Sequence, residues 1–369
     1  MKKVFVFTSV HQWNDTRIFH KQVKSLSKKF IVEYHAPSDF EYKEIGKIKV
    51  IGLPYWKSYR DRIKIIFEIF KRIIKSNSDI YHFHDFELIP LGLFIRIFKK
   101  KPIIFDIHEN YLDQIKYKLK IPKLLKYIII FILKTFNRYL GSLFYLIFAE
   151  NSYLKLYPKL DSKRFQTILN FPIIDVFNNF KLSNRKNNKD LFYIGAITPE
   201  RGFYEMISAL DILYKKNIEL KLHLVGPNWY NLKIPKSFMH LENNVIFYGR
   251  MDIRDGYHYS KNALLGLSLL HPIENYLESY PTKIFEYMAC SLPVITSNFD
   301  LYKTIVEKNK CGYCVDPMNP LEIANAIEKF IINPVIAQEF GSNGNLLVQH
   351  KYNWVIEEDK LIKFYKRII

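Results

Sequence analysis

Glu278 and Glu286 stand eight positions apart in the stretch ESYPTKIFEYMAC, and the residue types between them suit recognition of a phosphorylated sugar. Pro281 fits the opening of a helix, because its missing N–H costs nothing there and its φ is already helical. Ile284, Phe285, Met288 and Ala289 follow at helical spacing, and Ser291, Leu292 and Pro293 break the pattern ahead of the apolar Val294–Thr296. The stretch reads as loop, helix, tight turn and buried strand. A helix start at Pro281 would turn the backbone N–H groups of Tyr280, Thr282 and Lys283, with the positive end of the dipole, towards a phosphate or diphosphate. A carboxylate accepts two hydroxyl protons at once, as a vicinal diol offers them, so Glu278 before the helix and Glu286 inside it suit sugar and ribose. Diphosphate and diols together describe a sugar nucleotide.

A second group of chemically capable residues lies in the N-terminal half. DIYHFHDF and PIIFDIHEN each hold a short apolar strand running into polar residues, and ligands of open α/β sheets bind just beyond the carboxyl ends of such strands. His84, Asp85, His108 and Glu109 are therefore expected at one rim. Two readings stay open for them. His82-x-His84-Asp85 and Asp106-x-His108-Glu109 have the types and spacing of metal ligands, and the same residues also suit a metal-free acceptor cleft. Arg17, early in a helix capped by Asp15 or Thr16, faces the same edge and is a candidate acceptor contact.

In the C-terminal half, the strand Leu191–Gly195 leads through Thr198-Pro199-Glu200-Arg201-Gly202 into a helix, and its small Gly195 and Gly202 let a phosphate approach the backbone beside Arg201. Further strand ends fall at Gly226 and at Gly249-Arg250. Cys311-Gly312-Tyr313-Cys314 has redox-like spacing, but it precedes a β-like run instead of sitting at a strand-to-helix turn, which argues against thiol chemistry. Three cysteines make no disulfide framework.

Holding these groups takes two α/β domains, and 369 residues suffice for two cores. The expected boundaries are 1–180, 181–350 and a closing helix over 351–369, with the polar run Lys181–Asp190 as linker. The apolar runs Tyr127–Leu133 and Leu143–Ala149 fall far short of the ~20 residues that span a bilayer. MKKVFVFTSV reads as a buried first strand, not a signal peptide, since His11, Trp13, Asn14 and Asp15 end the run early. Neither export nor a transmembrane helix is expected.

The net charge of +19 is uneven: residues 1–172 carry 32 Lys and Arg against 15 Asp and Glu, a surplus of 17, and the remainder only 23 against 21. Such a field suggests an anionic partner that meets one domain. Two basic stretches lie there. Lys57–Lys75 is expected to turn Ile63, Ile66, Phe67, Phe70, Ile73 and Ile74 inward and Lys64, Glu68, Lys71, Arg72 and Lys75 outward. Within Tyr117–Gly141, a helix from near Pro122 carries Lys126, Lys134 and Arg138 along one stripe, and is either buried or laid into a lipid interface. No nucleic-acid-binding motif is present.

The C-terminal pattern resembles glycosyltransferase family 4 (group 1), the retaining nucleotide-sugar transferases of the GT-B fold. Their C-terminal domains carry a Glu, seven residues, a Glu opening an EYMA-like helix and a PVI strand, here Glu278, Glu286 and Pro293–Thr296. In the phosphate loop Ala196 stands where that family often has arginine, and Arg201 where it often has lysine. The resemblance implies an α/β fold of two Rossmann-like domains facing each other across a cleft, the first binding the acceptor, the second the nucleotide sugar, with the last helix crossing back onto the first.

It implies sugar transfer from a UDP- or GDP-sugar with retention, without metal or further cofactor. In that scheme His108, Arg201 and Glu278 are catalytic, and Gly195, Gly202, Arg250, Tyr280, Pro281, Thr282, Lys283 and Glu286 bind the donor. Arg201 takes the diphosphate with Lys283 as substitute for the missing cation, Glu286 the ribose, and Arg250 lies near the base. Arg17, His84, Asp85 and Glu109 meet the acceptor, a lipid-linked or cell-surface glycan precursor reached from the cytoplasm at the inner, anionic face of the plasma membrane. The rivals are a metal-dependent hydrolase built on His84, Asp85 and His108, and a non-hydrolysing sugar-nucleotide epimerase of the same architecture.

Overall fold

The strands β1 (Lys3–Phe7), β2 (Ile31–Pro37), β3 (Tyr42–Ile45), β4 (Ile48–Leu53), β5 (Ile80–Phe83), β6 (Ile103–Ile107), β7 (Tyr145–Phe148) and β8 (Phe165–Thr167) form one sheet in the order β3-β4-β2-β1-β5-β6-β7-β8. Neighbours run parallel except β3 against β4. The central strands are buried along almost their whole length, which is why KVFVF, IYHF and IIFDI read as apolar runs without alternation. The computed structural model describes residues 1–108, 122–158, 160–181 and 188–369. Glu109, residues 117–121 of the second basic stretch and 182–187 of the expected linker lie outside the described residues.

Ser58 and Asp61 close a capping box on the helix Tyr59–Lys75, which turns Ile65, Ile69 and Ile73 into the core. Ile63, Phe67 and Ile74 are exposed, which corrects the inward face expected for them. The apolar arc of this helix is wider than the sheet covers, and the i, i+4 row through 65, 69 and 73 takes the contact. Pro122 caps the helix Lys123–Leu143, which buries Asn137 and Leu140 but exposes Leu124, Leu125, Tyr127, Phe131 and Tyr139. The side chain of Arg138 lies outside the described residues. Among those residues no helix is long and apolar enough to cross a membrane.

The second sheet, β9 (Asp190–Ile194), β10 (Leu222–Val225), β11 (Val245–Gly249), β12 (Ala263–Ser268), β13 (Val294–Ser297) and β14 (Gly312–Val315), is parallel throughout in the order β11-β10-β9-β12-β13-β14. Contacts divide the chain into Met1–Asn170 with Val355–Ile369, and Phe171–Trp354. Residues 171–180 go with the second unit because Phe171 packs on Phe285 and Tyr352, and Phe177 and Phe180 on Tyr257. The last helix, Trp354–Ile368, is tied to the first unit by Glu357 on the Leu169 amide, Glu358 on Ser25 and Tyr365 on His82.

The helix Thr282–Ala289 is anchored through Tyr287. Its hydroxyl accepts from the Ile194 amide at 3.1 Å and donates to the Leu267 carbonyl at 3.1 Å, bridging β9 and β12. Gly266 must lack a side chain for this, since a Cβ there would lie 2.4 Å from the tyrosine ring. Ser291, at φ 55°, closes the tight turn into β13, and Asn345 donates to the Ala289 carbonyl at 2.8 Å. The C-terminal half of the helix is thereby held before any ligand is considered.

Candidate active site

At the carboxyl ends of β9, β10 and β11 stand Gly195, Gly226 and Gly249, all with positive φ. Gly226 packs so closely that a Cβ on it would fall 2.0 Å from the Gly195 carbonyl oxygen. Two cations reach the same point from different elements. A Cβ at Gly195 would lie 3.1 Å from Lys283 Nζ and 3.4 Å from Arg201 Nη1. Arg201 ends a short turn over Pro199–Arg201, and Gly202, left-handed at φ 79°, starts the next helix against Leu269.

Lys283 is buried, its Nζ has no hydrogen-bond partner among the described residues, and it lies over the Tyr193 ring at 3.9 Å. Burial, then the neighbouring Arg201 charge, drives its pKa well below the ordinary lysine value. Burial works against the Arg201 charge, but Tyr193 and Tyr276 hold its pKa above the usual arginine value. Two cations converging on bare backbone at a strand end and a helix start are arranged for a multiply charged anion.

Pro281 is the cap residue of the helix, which begins at Thr282, so the Thr282 and Lys283 amides lie in its first turn. One turn further, Glu286 accepts from the Tyr257 hydroxyl at 2.7 Å. Glu278 is exposed at the end of the short helix Glu274–Leu277, and the Tyr280 ring packs between Phe171 and Phe285. Arg250 is exposed just past the edge strand β11.

In the N-terminal unit the organising group is Asp106, fully buried on β6. It takes Arg17 Nη2 at 2.9 Å and Nε at 3.2 Å, Gln22 Nε2 at 2.5 Å and His108 Nε2 at 2.9 Å. Burial would raise its pKa, but Arg17 and then His108 hold it well below the carboxylate range. A carboxylate only accepts, so His108 carries a proton on Nε2. Behind it, His84 Nδ1 is 3.0 Å from His108 Nε2, and burial lowers the His84 pKa to about 4.

Asp85 is spent on the loop after β1. It accepts from Thr8 Oγ1 and the Ser9 amide, both at 2.6 Å, and pairs with His11 Nδ1 at 2.9 Å. The His11 ring lies 5.2 Å from that of His108.

These positions correct part of the expected acceptor set. Arg17 is buried and committed to Asp106 and, at 2.8 Å, to the Ile168 carbonyl; its helix, capped by Asp15, points it into the unit. His84 and Asp85 are likewise buried, as the supports of His108 and of the β1 loop. The ligand atoms of His82, His84 and Asp106 lie within 4.8 Å of one another, but this donor set does not fit a divalent cation. The Arg17 guanidinium already occupies both Asp106 oxygens, and its fixed charge opposes a second cation. Cys311, pushed up to about 12 by burial, and Cys314, pushed higher by burial and Glu307, are not thiolates.

His11, Gln22, Tyr193, Tyr257 and Tyr276 were not singled out by spacing. They come from other elements of each fold, and nothing local marks them.

Two sheets of almost wholly parallel strands flanked by helices are the architecture of the GT-B fold. Residues 176–346, just under half of the chain, match the family model described as glycosyl transferases group 1. It is 23% identical over 206 residues to the capsular polysaccharide biosynthesis glycosyltransferase CapM of Staphylococcus aureus, covering 52% of each chain. Over 310 residues it is 24% identical to the poly(ribitol-phosphate) alpha-N-acetylglucosaminyltransferase of Staphylococcus aureus (strain COL), covering 80% of this chain and 57% of that one. The chain thus spans little more than half the length of these relatives.

Among solved structures, it shares its fold with the sucrose-phosphate synthase of Thermosynechococcus elongatus, at a TM-score of 0.73 and 17% identity over 100% of this chain and 99% of that one. It also shares it with Anabaena HepE, solved with UDP and glucose, at a TM-score of 0.68 and 14% identity over 99% of this chain and 100% of that one.

Proposed function

We propose that this chain is a retaining glycosyltransferase that moves a sugar from a UDP- or GDP-sugar to a hydroxyl of a lipid-linked or cell-surface glycan precursor, without a metal. The observation that carries this reading is the convergence of Arg201 and Lys283 on Gly195 beside the start of the Thr282–Ala289 helix. Charge developing on the departing diphosphate is stabilised by these fixed groups, which supply what a metal ion supplies elsewhere. Glu286, oriented by Tyr257, binds the ribose diol, and Glu278 the donor sugar. His108, held by Asp106, hydrogen-bonds the reacting sugar. The bond from the sugar's anomeric carbon to the phosphate oxygen breaks, the bond to the acceptor oxygen forms on the same face, and the leaving phosphate oxygen takes the acceptor's proton.

The acceptor class rests on relatives whose names concern capsule and poly(ribitol-phosphate). A peripheral site at the inner face of the plasma membrane is supported by the basic N-terminal half and by Leu124, Tyr127 and Phe131, exposed on the Lys123–Leu143 helix. Co-sedimentation with anionic but not neutral vesicles is expected, and absence from both pellets would restrict the reading to soluble acceptors.

Donor hydrolysis without an acceptor tests the chemistry. Arg201→Ala is expected to lower kcat by about 10²–10³-fold, as loss of one oxyanion-stabilising group does, while Glu286→Ala mainly raises the donor KM. Wild-type turnover in both variants would refute these roles.

A further inference from the structure

Lys283 carries an inference that rests on the donor reading above and goes beyond it. Its Nζ is buried without a hydrogen-bond partner among the described residues, yet it lies beside the Arg201 guanidinium at Gly195, where β9 ends in bare backbone. The groups around it cannot satisfy a permanent ammonium. Tyr193, below it on β9, meets it with its ring face, and its hydroxyl donates to the Ala196 carbonyl at 2.6 Å. Arg201 repels it, and Tyr276 attends to Arg201. On its own helix the nearest acid, Glu286, is taken by Tyr257, and the Tyr287 hydroxyl bridges two backbone groups. A diphosphate at Gly195 reverses this balance, since its negative charge offsets both cations and its oxygens accept from Nζ.

We propose that binding of the nucleotide diphosphate draws a proton onto Lys283 Nζ, so that the second cation of the cradle is created by the ligand it holds. The Ala196 side of the loop lacks the arginine that would supply a fixed charge, and a helix lysine supplies a conditional one. In the free protein burial and Arg201 push the Lys283 pKa down, and the bound anion pushes it back up. Between those two values binding consumes a proton, and affinity falls as pH rises, by up to about tenfold per pH unit.

Calorimetric titration of UDP into the full chain, in two buffers of different protonation enthalpy at pH ~8, reads the proton count directly. That pH lies well above the second ionisation of a phosphate monoester, about 6, so UDP contributes no proton of its own. Wild type is expected to take up about one proton per UDP, and Lys283→Met none, with affinity at least about tenfold weaker and flat with pH. Equal counts in the two proteins, or no uptake by wild type, overturn the inference and leave the donor reading standing. The wild-type count decides alone if the variant does not fold. Failure of both UDP and GDP to bind wild type overturns the donor reading and this inference with it.

Discussion

Near the carboxyl ends of its strands each unit buries an ionisable side chain, Asp106 in the first and Lys283 in the second, and the two are treated in opposite ways. Asp106 is fully buried and surrounded by donors: Arg17 twice, Gln22 and His108. Lys283 is 7% exposed and has the Tyr193 ring beneath it but no hydrogen-bond acceptor among the described residues. A buried charge with both oxygens hydrogen-bonded is scaffold, and removing a partner strands the rest. A buried charge left without a counter-ion lowers stability, and a fold keeps it where a ligand supplies the missing half. The difference separates the group that positions His108 from the group that meets the diphosphate.

The largest expected effect breaks the satisfied side. Asp106→Ala strands the Arg17 guanidinium and should destabilise the N-terminal unit by about 3–5 kcal/mol, measured as a lower denaturant midpoint. A loss below 1 kcal/mol in that titration would mean that the network is ornamental and that His108 is held by something else.

Acidification acts on the same unit. Burial holds His84 neutral down to about 4, whereas an unfolded histidine titrates near 6.5, so the unfolded chain binds more protons in between. Stability is lost as pH falls through that window, by about 3 kcal/mol at its lower end. Asp106, depressed below its ordinary value of 3.8, adds a loss in the same direction at still lower pH. A flat melting temperature from neutral pH to the lower end of the window would contradict the assignment of His84 as a buried neutral ring.

The smallest effect sharpens the unsatisfied side and has the opposite sign. Lys283, depressed below 10.5, weakens the ligand-free fold at neutral pH, and that cost is relieved as pH rises towards the unfolded value. Lys283→Met should therefore raise the melting temperature of the ligand-free protein by about 2–4 °C, the shift that roughly 1 kcal/mol gives a domain of this size. A lower melting temperature would show that the amine is structural.

What the sequence disclosed follows from how local each feature is. The helix start at Pro281, its tight turn and the strand after it are written in one continuous stretch, and the helix is found one residue later, with Pro281 as cap. The parallel strands were legible because burial on both faces leaves unbroken apolar runs. The partners were not: Tyr257 reaches Glu286 across 29 positions and Arg17 reaches Asp106 across 89. Such pairings arise from sheet order, which no local spacing encodes, and that is why Arg17 looked like a surface contact. The inward face of Tyr59–Lys75 was misphased for a related reason, since an apolar arc wider than one contact row leaves the choice of row to the sheet.

The most direct test of the central claim is a crystal structure of the chain with UDP. The diphosphate is expected at Gly195 with oxygens within hydrogen-bonding reach of both Lys283 Nζ and Arg201, and with the ribose hydroxyls on Glu286. UDP bound elsewhere, or bound with Lys283 still out of contact beneath it, would contradict the account.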